Sequence, residues 1–93
     1  MYLNQYNMRL TGKVIIVTGS TTGIGKAIAI RCAAEGAKVV LHGLEKDWGQ
    51  EVLASIGQQQ ATLHIGDLTH EGVPQHLVDT ALQTFGRLDA VVN

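Results

Sequence analysis

The sequence predicts an α/β protein with a doubly wound parallel sheet, of which we expect this chain to supply the first half. Short apolar runs alternate with longer segments of helical periodicity, an order typical of parallel strands joined by helices. A glycine-rich stretch, TGSTTGIG, lies between the first apolar run and the first helical segment. Hydrophobic residues make up 45% of the chain and charged residues 16%, a balance that favours a packed interior over disorder.

The first strand and the first helix follow from the residues on either side of the glycine-rich stretch. The apolar run Val14–Thr18 predicts the strand. A helix is expected from about residue 23 to residue 35, where Ile24, Ile28 and Cys32 share one face at helical spacing. The glycine that follows is a typical helix stop.

The remaining elements repeat this alternation. Lys38–His42 predicts the second strand, Lys46–Ile56 a second helix and Ala61–Ile65 a third strand. The third helix is expected to begin near Pro74, which is well tolerated in a first helical turn. It would present five apolar residues to the sheet: Leu77, Val78, Ala81, Leu82 and Phe85. Leu88–Asn93 predicts the fourth strand, and we expect a longer protein because the sequence stops inside this pattern.

The glycine-rich stretch predicts a phosphate-binding turn. Gly19, Gly23 and Gly25 stand where a strand passes into a helix, and glycine lets the backbone approach a phosphate closely. Free amides and the positive end of the helix dipole face the negative charge there. We expect the amides around Ser20 and Ile24 to be the donors.

The glycine spacing separates this turn from two other phosphate-binding patterns. A Walker-type loop would need glycine in place of Ser20 and a hydroxyl residue in place of Ala27. The G-x-G-x-x-G pattern fails because Ile28 takes the place of the third glycine. The pattern T-G-x-x-x-G-x-G remains. Within it, Thr18 and Thr22 either contact the ligand or brace the loop through hydroxyl bonds to nearby backbone.

With this glycine spacing directly after the first predicted strand, the chain resembles the short-chain dehydrogenase/reductase family from about Met8 onward. Three later stretches agree in order and spacing: Gly36–Val40 looks like the family's second strand, Gly66–Thr69 like its adenine-contacting turn, and Gly86–Asn93 like the approach to its Asn-Asn-Ala-Gly motif. The resemblance implies a Rossmann-type sheet with strand order 3-2-1-4. A dinucleotide cofactor would lie at the switch point between strands 1 and 4.

The resemblance also implies roles for residues beyond the loop. Asp67 would accept a hydrogen bond from the adenine amino group, with the Leu68 amide beside it, although a carboxylate here could instead only cap a turn. Asn93 would contact the cofactor ribose and tie strand 4 to the loop. The full set of expected cofactor-binding residues is Gly19, Ser20, Thr22, Gly23, Ile24, Gly25, Leu44, Asp67, Leu68 and Asn93.

The end of the second strand bears on the choice of cofactor. An acidic residue there would bind both ribose hydroxyls and repel a 2′-phosphate, whereas a basic residue would accept the phosphate. The chain reads His42-Gly43-Leu44-Glu45, which meets neither rule. Family members that use NADP often carry Arg or Lys at the position of Thr22 or Leu44, and both are neutral here. Because Glu45 disfavours further negative charge, we expect NAD in preference to NADP.

No catalytic residue is expected within these 93 residues. The family uses a Tyr-x-x-x-Lys pair with a Ser, and neither Tyr2 nor Tyr6 begins such a pair. The resemblance implies an intact oxidoreductase that interconverts a secondary alcohol and a ketone, and the segments Thr18–Gly23 and Leu41–Leu44 look somewhat like those of hydroxyacyl dehydrogenases and 3-oxoacyl reductases. The alternative is a dinucleotide-binding or sensing module without catalysis.

Charge, cysteine content and histidine spacing argue against several classes of partner and ligand. A net charge of −1 gives no electrostatic support for binding nucleic acid or an anionic membrane. The single cysteine, Cys32, excludes an internal disulfide and fits a reducing compartment. The four histidines have no metal-ligand spacing, so no metal is expected.

The domain assignment follows from these patterns. Residues 1–9 are interpreted as a polar leader, which lacks the apolar core of a signal peptide. Residues 10–93 are interpreted as the N-terminal part of an NAD(P)-binding domain that is truncated at strand 4. We expect a cytoplasmic protein with a small carbonyl or alcohol substrate, and the resemblance implies a homo-oligomer at full length.

Overall fold

A computed structural model describes residues 8–93, and strands and helices alternate throughout this range. The elements are β1 (Val14–Val17), α1 (Gly23–Ala34), β2 (Lys38–Gly43), α2 (Lys46–Ile56), β3 (Ala61–Ile65), α3 (Val73–Phe85) and β4 (Ala90–Val92). The predicted α/β class is confirmed, and the observed bounds of α2 and β3 are those expected from the sequence. Most of the predicted leader, residues 1–7, lies outside the described residues.

The four strands form one parallel sheet in the order β3-β2-β1-β4, which confirms the predicted order. In β1, Val17 is paired with Leu41 of β2 on one side and with Val92 of β4 on the other. Next to these pairs, Gly43 is level with Ile65 of β3. Because all four strands run in the same direction, the segments that follow them meet at one edge of the sheet.

Helices cover both faces of the sheet, so β1 is buried along its whole length. One core contains Ile15 and Val17 of β1 and packs against α1 and α2. The other core contains Val14 and Ile16 and packs against α3. A strand buried on both faces has to be apolar at every position, which explains the unbroken run VIIV.

Two of the predicted helix faces are wrong in part. Ile24 is 82% exposed, and α1 instead buries Ala29 and Ala33, whose small side chains let the helix lie close to the sheet. Leu82 is 48% exposed, whereas Ala81 is fully buried. Consecutive helical residues point about 100° apart, so the face that holds Ala81 turns Leu82 toward solvent.

The described residues contain no helix that is both long and apolar enough to cross a membrane.

The fourth strand is shorter than expected, and Asp89, which precedes it, bonds to β1 through both its side chain and its backbone. Its Oδ2 accepts a hydrogen bond from the Val14 amide at 2.8 Å, and its own amide donates to the Val14 carbonyl at 2.8 Å. Arg87 binds both carboxylate oxygens, with Nε 2.9 Å from Oδ2 and Nη2 2.6 Å from Oδ1. These bonds from Arg87, followed by the one from Val14, lower the pKa of Asp89 below its ordinary value of 3.8.

We expect Asp89→Asn to lower the melting temperature at neutral pH, because Arg87 then loses its charged partner. A carboxyl group whose pKa is lower in the folded state than in the unfolded state stabilises the fold at pH values above its unfolded-state pKa. This stabilisation is lost as the pH falls through the folded-state pKa. The difference in melting temperature between the variant and wild type should therefore have its maximum value above about pH 5 and decrease below pH 3.8. Circular dichroism melts across this range measure it, with the exposed Glu71→Gln as a charge-matched control. A difference that stays constant down to acid pH contradicts the explanation.

Candidate functional site

A cleft of about 630 Å³ opens at the carboxyl edge of the sheet, where β1 separates β2 from β4. The residues that line it come from the glycine-rich loop, the end of β2, the first turn of α2, the turn after β3 and the end of β4. They include six that the sequence singled out: Gly19, Thr22, Leu44, Asp67, Leu68 and Asn93. They also include Thr18, for which ligand contact was one of two open roles, and five that the sequence did not assign to the ligand: Thr21, His42, Gly43, Glu45 and Trp48. Open α/β sheets bind their ligands at this kind of position.

The loop owes its shape to its three glycines. Gly19 and Gly23 have φ values of +59° and +57°, in the left-handed region that side chains disfavour. Gly25 is required for another reason, because a Cβ atom there would collide with the carbonyl oxygen of Gly19. The pattern T-G-x-x-x-G-x-G therefore encodes two backbone turns and one close approach between the loop and α1.

The amino end of α1 faces out of this loop. Thr22 is the N-cap residue in an extended conformation, and its side chain makes no capping hydrogen bond. Its carbonyl accepts from the Lys26 amide at 3.1 Å, so the amides of the turn between them lie at the positive end of the helix. Ile24, in that turn, is largely exposed.

Ser20 does not have the environment expected of a ligand residue, and this is a correction to the predicted site. It is fully buried, and its amide donates to the His42 carbonyl at 2.7 Å. Its hydroxyl oxygen accepts from the His42 amide at 2.9 Å and lies 3.3 Å from the His42 carbonyl oxygen. Both polar groups of Ser20 are thus engaged in fastening the loop to β2, which leaves neither of them directed at a phosphate.

Thr18 braces the loop against β4, one of the two roles that the sequence left open for it. Its amide donates to the Val92 carbonyl at 2.9 Å. Its hydroxyl lies 3.2 Å from both the Val92 carbonyl oxygen and Asn93 Oδ1, either of which can accept its one proton. Asn93 is therefore held beside the loop at the mouth of the cleft.

His42 connects the loop to the turn after β3, a role the sequence did not reveal. Gly19 donates its amide proton to Nδ1 at 3.1 Å, and Nε2 lies 2.7 Å from the Gly66 carbonyl oxygen. The side chain is almost completely buried. Its only signal in the sequence is its place near the end of the second strand.

Asp67 performs the turn role that was the alternative to adenine binding, and it also lines the cleft. Its Oδ1 accepts from the Thr69 hydroxyl at 2.7 Å and from the Thr69 amide at 2.8 Å. These two bonds, the hydroxyl first, lower the pKa of Asp67. Oδ2 lies 3.9 Å from Nε2 of His70. The carboxylate is thus ionised and oriented at neutral pH.

The wall of the cleft beyond β2 is largely apolar. Leu44 is 66% exposed and Trp48 is 54% exposed, and both border the cleft together with Leu68. Gly43 could not carry a side chain without a shift, because its Cβ would collide with the side chain of Thr21. Glu45 is the charged residue on this wall.

Residues 8–93 hold no group of three or more His, Cys, Asp or Glu residues that could bind a metal ion.

Comparison with known proteins connects this cleft to a family. A model of short chain dehydrogenases matches residues 13–93. An uncharacterised oxidoreductase of Staphylococcus aureus (strain MRSA252) is 44% identical over 84 residues, which are 90% of this chain and 36% of that protein. An NADP-dependent (R)-specific alcohol dehydrogenase of Lentilactobacillus kefiri is 44% identical over 86 residues, which are 91% of this chain and 34% of that protein.

Solved structures show the same fold. The apo form of a glucose dehydrogenase of Caenorhabditis elegans matches with a TM-score of 0.87 and 36% identity, over 91% of this chain and 38% of that one. A short-chain dehydrogenase/reductase of unknown function from the same organism, solved with cofactor, matches with a TM-score of 0.85 and 31% identity, over 89% of this chain and 32% of that one. The chain spans about a third of the length of these relatives.

We expect Ser20→Ala to destabilise the fold, because it leaves the buried His42 amide without its acceptor. An unsatisfied buried donor costs about 1–3 kcal/mol, and in a domain of this size each kcal/mol lowers the melting temperature by roughly 4–8 °C. Ser55→Ala is the matched control, since Ser55 is exposed on α2 and its hydroxyl donates only to the carbonyl of Val52 in the same helix. Equal melting temperatures for the two variants would show that Ser20 does not fasten the loop.

Proposed function

The chain belongs to the short-chain dehydrogenase family, and we propose that it forms the dinucleotide-binding part of an NAD(P)-dependent oxidoreductase. The observation that carries this proposal is the close contact between Gly25 and the Gly19 carbonyl beside the uncapped amino end of α1. A pyrophosphate fits such a place, because the backbone can approach it and the helix end is positive. Gly19, Thr22, Gly23, Ile24 and Gly25 are the proposed pyrophosphate residues.

The other end of the cleft suits an adenosine. Leu44, Trp48 and Leu68 provide apolar surface for a flat base, and apolar walls with a few oriented polar groups are typical of cofactor sites. The ionised Asp67 carboxylate and the Leu68 amide are the proposed partners of the adenine, and Asn93 is the proposed ribose contact. This proposal keeps the residues expected from the sequence except Ser20.

The proposed reaction is hydride transfer between the nicotinamide and a small substrate, which interconverts a secondary alcohol and a ketone. The bound dinucleotide would supply the hydride chemistry. This chain would bind it, orient it and keep its pyrophosphate on the loop. The names of two relatives, an (R)-specific alcohol dehydrogenase and a glucose dehydrogenase, support this class of reaction.

We favour NAD over NADP on electrostatic grounds. Gly43 is packed against Thr21, and the neighbouring Leu44 is neutral, so the end of β2 offers no cation for a 2′-phosphate. Glu45 borders the cleft and would repel that phosphate. The relative from Lentilactobacillus kefiri is described as NADP-dependent, which makes the choice of cofactor an experimental question for this chain.

The function is tested first by Gly25→Ala, which puts a methyl group against the Gly19 carbonyl. Calorimetric titration with NAD⁺ should show binding by wild type and a loss of at least about tenfold in the variant. Gly86→Ala is the control, since Gly86 has φ +82° and open space around its missing Cβ, and it lies at the end of α3.

The control is expected to melt at a lower temperature, because a side chain at positive φ costs about 1 kcal/mol, yet to bind as wild type does. Unchanged affinity in a folded Gly25→Ala protein overturns the site. A wild-type chain that folds and binds neither NAD⁺ nor NADP⁺ overturns the function.

The preference for NAD is tested by Leu44→Arg. A guanidinium at this exposed position should gain a charge-assisted contact with the 2′-phosphate, worth about 1 kcal/mol after screening by solvent. We expect the ratio of NADP⁺ to NAD⁺ affinity to rise by about fivefold. Leu44→Gln, which is polar and uncharged, should leave the ratio near its wild-type value. A wild type that already binds NADP⁺ more tightly than NAD⁺ refutes the preference.

A further inference from the structure

The His42 ring bonds to the backbone of the glycine-rich loop on one side and of the turn after β3 on the other. On one side, its Nδ1 lies 3.1 Å from the Gly19 amide of the loop. On the other, its Nε2 lies 2.7 Å from the carbonyl oxygen of Gly66, which begins the turn that carries Asp67. The ring is buried between these partners, with 4% of the residue exposed.

The two partners determine the protonation state that the site requires. A backbone amide can only donate, so Nδ1 has to be the acceptor. A carbonyl oxygen can only accept, so Nε2 has to carry the proton. These contacts require a neutral imidazole with its proton on Nε2, because a protonated ring would direct an Nδ1–H at the Gly19 N–H.

The bond to Gly19 acts on the part of the loop that cannot move independently. Gly19 is in the left-handed region, and its carbonyl oxygen lies where Gly25 permits no Cβ. The amide that donates to His42 and the carbonyl packed against α1 both belong to Gly19, so the Nδ1 bond holds one of the two peptide planes that meet at this residue. The Nδ1 bond therefore holds the conformation on which the close approach of loop and helix depends.

The Gly66 contact has a separate consequence. Gly66 donates its amide to the Gly43 carbonyl at 3.1 Å, so the residue is held at the end of β2. Its carbonyl oxygen, 2.7 Å from Nε2, accepts the Nε2 proton. This acceptor orients the ring and selects the tautomer whose Nδ1 is free to accept from the loop.

We propose that His42 is the positioning residue of the cleft: its neutral imidazole, oriented by the Gly66 carbonyl, holds the Gly19 amide and keeps the glycine-rich loop in the conformation that binds a pyrophosphate. This proposal rests on the proposed function. It assigns to His42 no contact with the cofactor. Ser20, by contrast, bonds only the backbone of His42. Ser20 therefore fastens the loop to the backbone of β2, and the His42 ring has the separate role of positioning the Gly19 amide.

Other titratable groups surround the ring. His64 on β3 and Asp67 in the following turn both interact electrostatically with His42, and Glu45 borders the same cleft. The pKa of His64 is lowered, chiefly by burial and then by His76 on α3 and by His42 itself. The test therefore compares proteins that keep all these groups and differ only at position 42.

Two variants separate the two ring nitrogens. His42→Asn can place its amide oxygen near the position of Nδ1 and still accept from Gly19, whereas His42→Gln can place its amide nitrogen near Nε2 and still donate to Gly66. We expect NAD⁺ affinity within about threefold of wild type for the Asn variant and at least about tenfold weaker for the Gln variant, since the latter loses a buried bond at the loop. Circular dichroism melts establish that each variant is folded.

Quenching of Trp48 emission by NADH gives a second measure of binding, because Trp48 is the only tryptophan and borders the cleft. We expect His42→Asn to bind NADH nearly as tightly as wild type and His42→Gln to bind it more weakly, because only the Asn variant keeps an acceptor for the Gly19 amide. Equal NADH affinities for the two variants contradict the proposal.

A ligand-free measurement keeps the proposal separate from the proposed function. Nitrogen NMR of the unliganded chain at pH 8 should show the neutral tautomer with the proton on Nε2 and a Gly19 amide that exchanges faster in His42→Gln than in His42→Asn. The opposite tautomer, or equal exchange in the two variants, overturns the role of His42. Absence of dinucleotide binding by wild type, with the NMR result as expected, instead overturns the proposed function and with it the ligand assigned to the loop.

Discussion

The close approach of Gly25 to the Gly19 carbonyl is the constraint on which the cleft depends. With any side chain at position 25, the helix would have to move away from the loop, and the amino end of α1 would no longer lie beside the turn of the chain. The positions of Ala29 and Ala33, further along the helix, also require small side chains, because only small residues let α1 approach the sheet this closely. The helix therefore brings its positive end to the carboxyl edge of β1 because its sheet-facing side is small.

Most of the fold could be predicted from local pattern, and the errors have identifiable causes. The unbroken apolar runs and the glycines between them were sufficient for the class, and α2 and β3 have the bounds expected for them. Ile24 was placed on the buried face because it is apolar and correctly spaced. It is exposed because it lies in the first turn of α1, whereas the residues that this helix buries, Ala29 and Ala33, come later. Helical periodicity identifies a face, but it does not indicate how far along the helix that face remains covered.

The site was harder to predict because its contacts join residues far apart in the sequence. The bonds from His42 to Gly19, Ser20 and Gly66 span 22 to 24 positions, and each depends on the register of one parallel strand beside another. Motif reasoning identified the glycines, whose conformations are local. It gave Ser20 to the ligand because the amides around Ser20 and Ile24 were the expected donors, and it could not show that β2 already engages both polar groups of Ser20. Trp48 was passed over for a similar reason, since only the fold places the first turn of α2 at the cleft.

Parallel register also explains why one buried ring can serve the whole cleft. In β2, His42 is level with His64 of β3, one position past the last β1–β2 pair, Val17 with Leu41. At this level the chain of β1 has just turned into the loop and the chain of β3 is about to leave the sheet, so a side chain on β2 lies between two segments of irregular backbone. Irregular backbone leaves polar groups that no ladder satisfies, and a side chain with one donor and one acceptor can satisfy one from each segment. A neutral imidazole has that pair at fixed positions of a rigid ring, whereas an aliphatic residue of similar size would leave the Gly19 amide and the Gly66 carbonyl without these partners. The histidine that follows the apolar run Val39–Leu41 in β2 is thus explained by the two backbone groups that flank it.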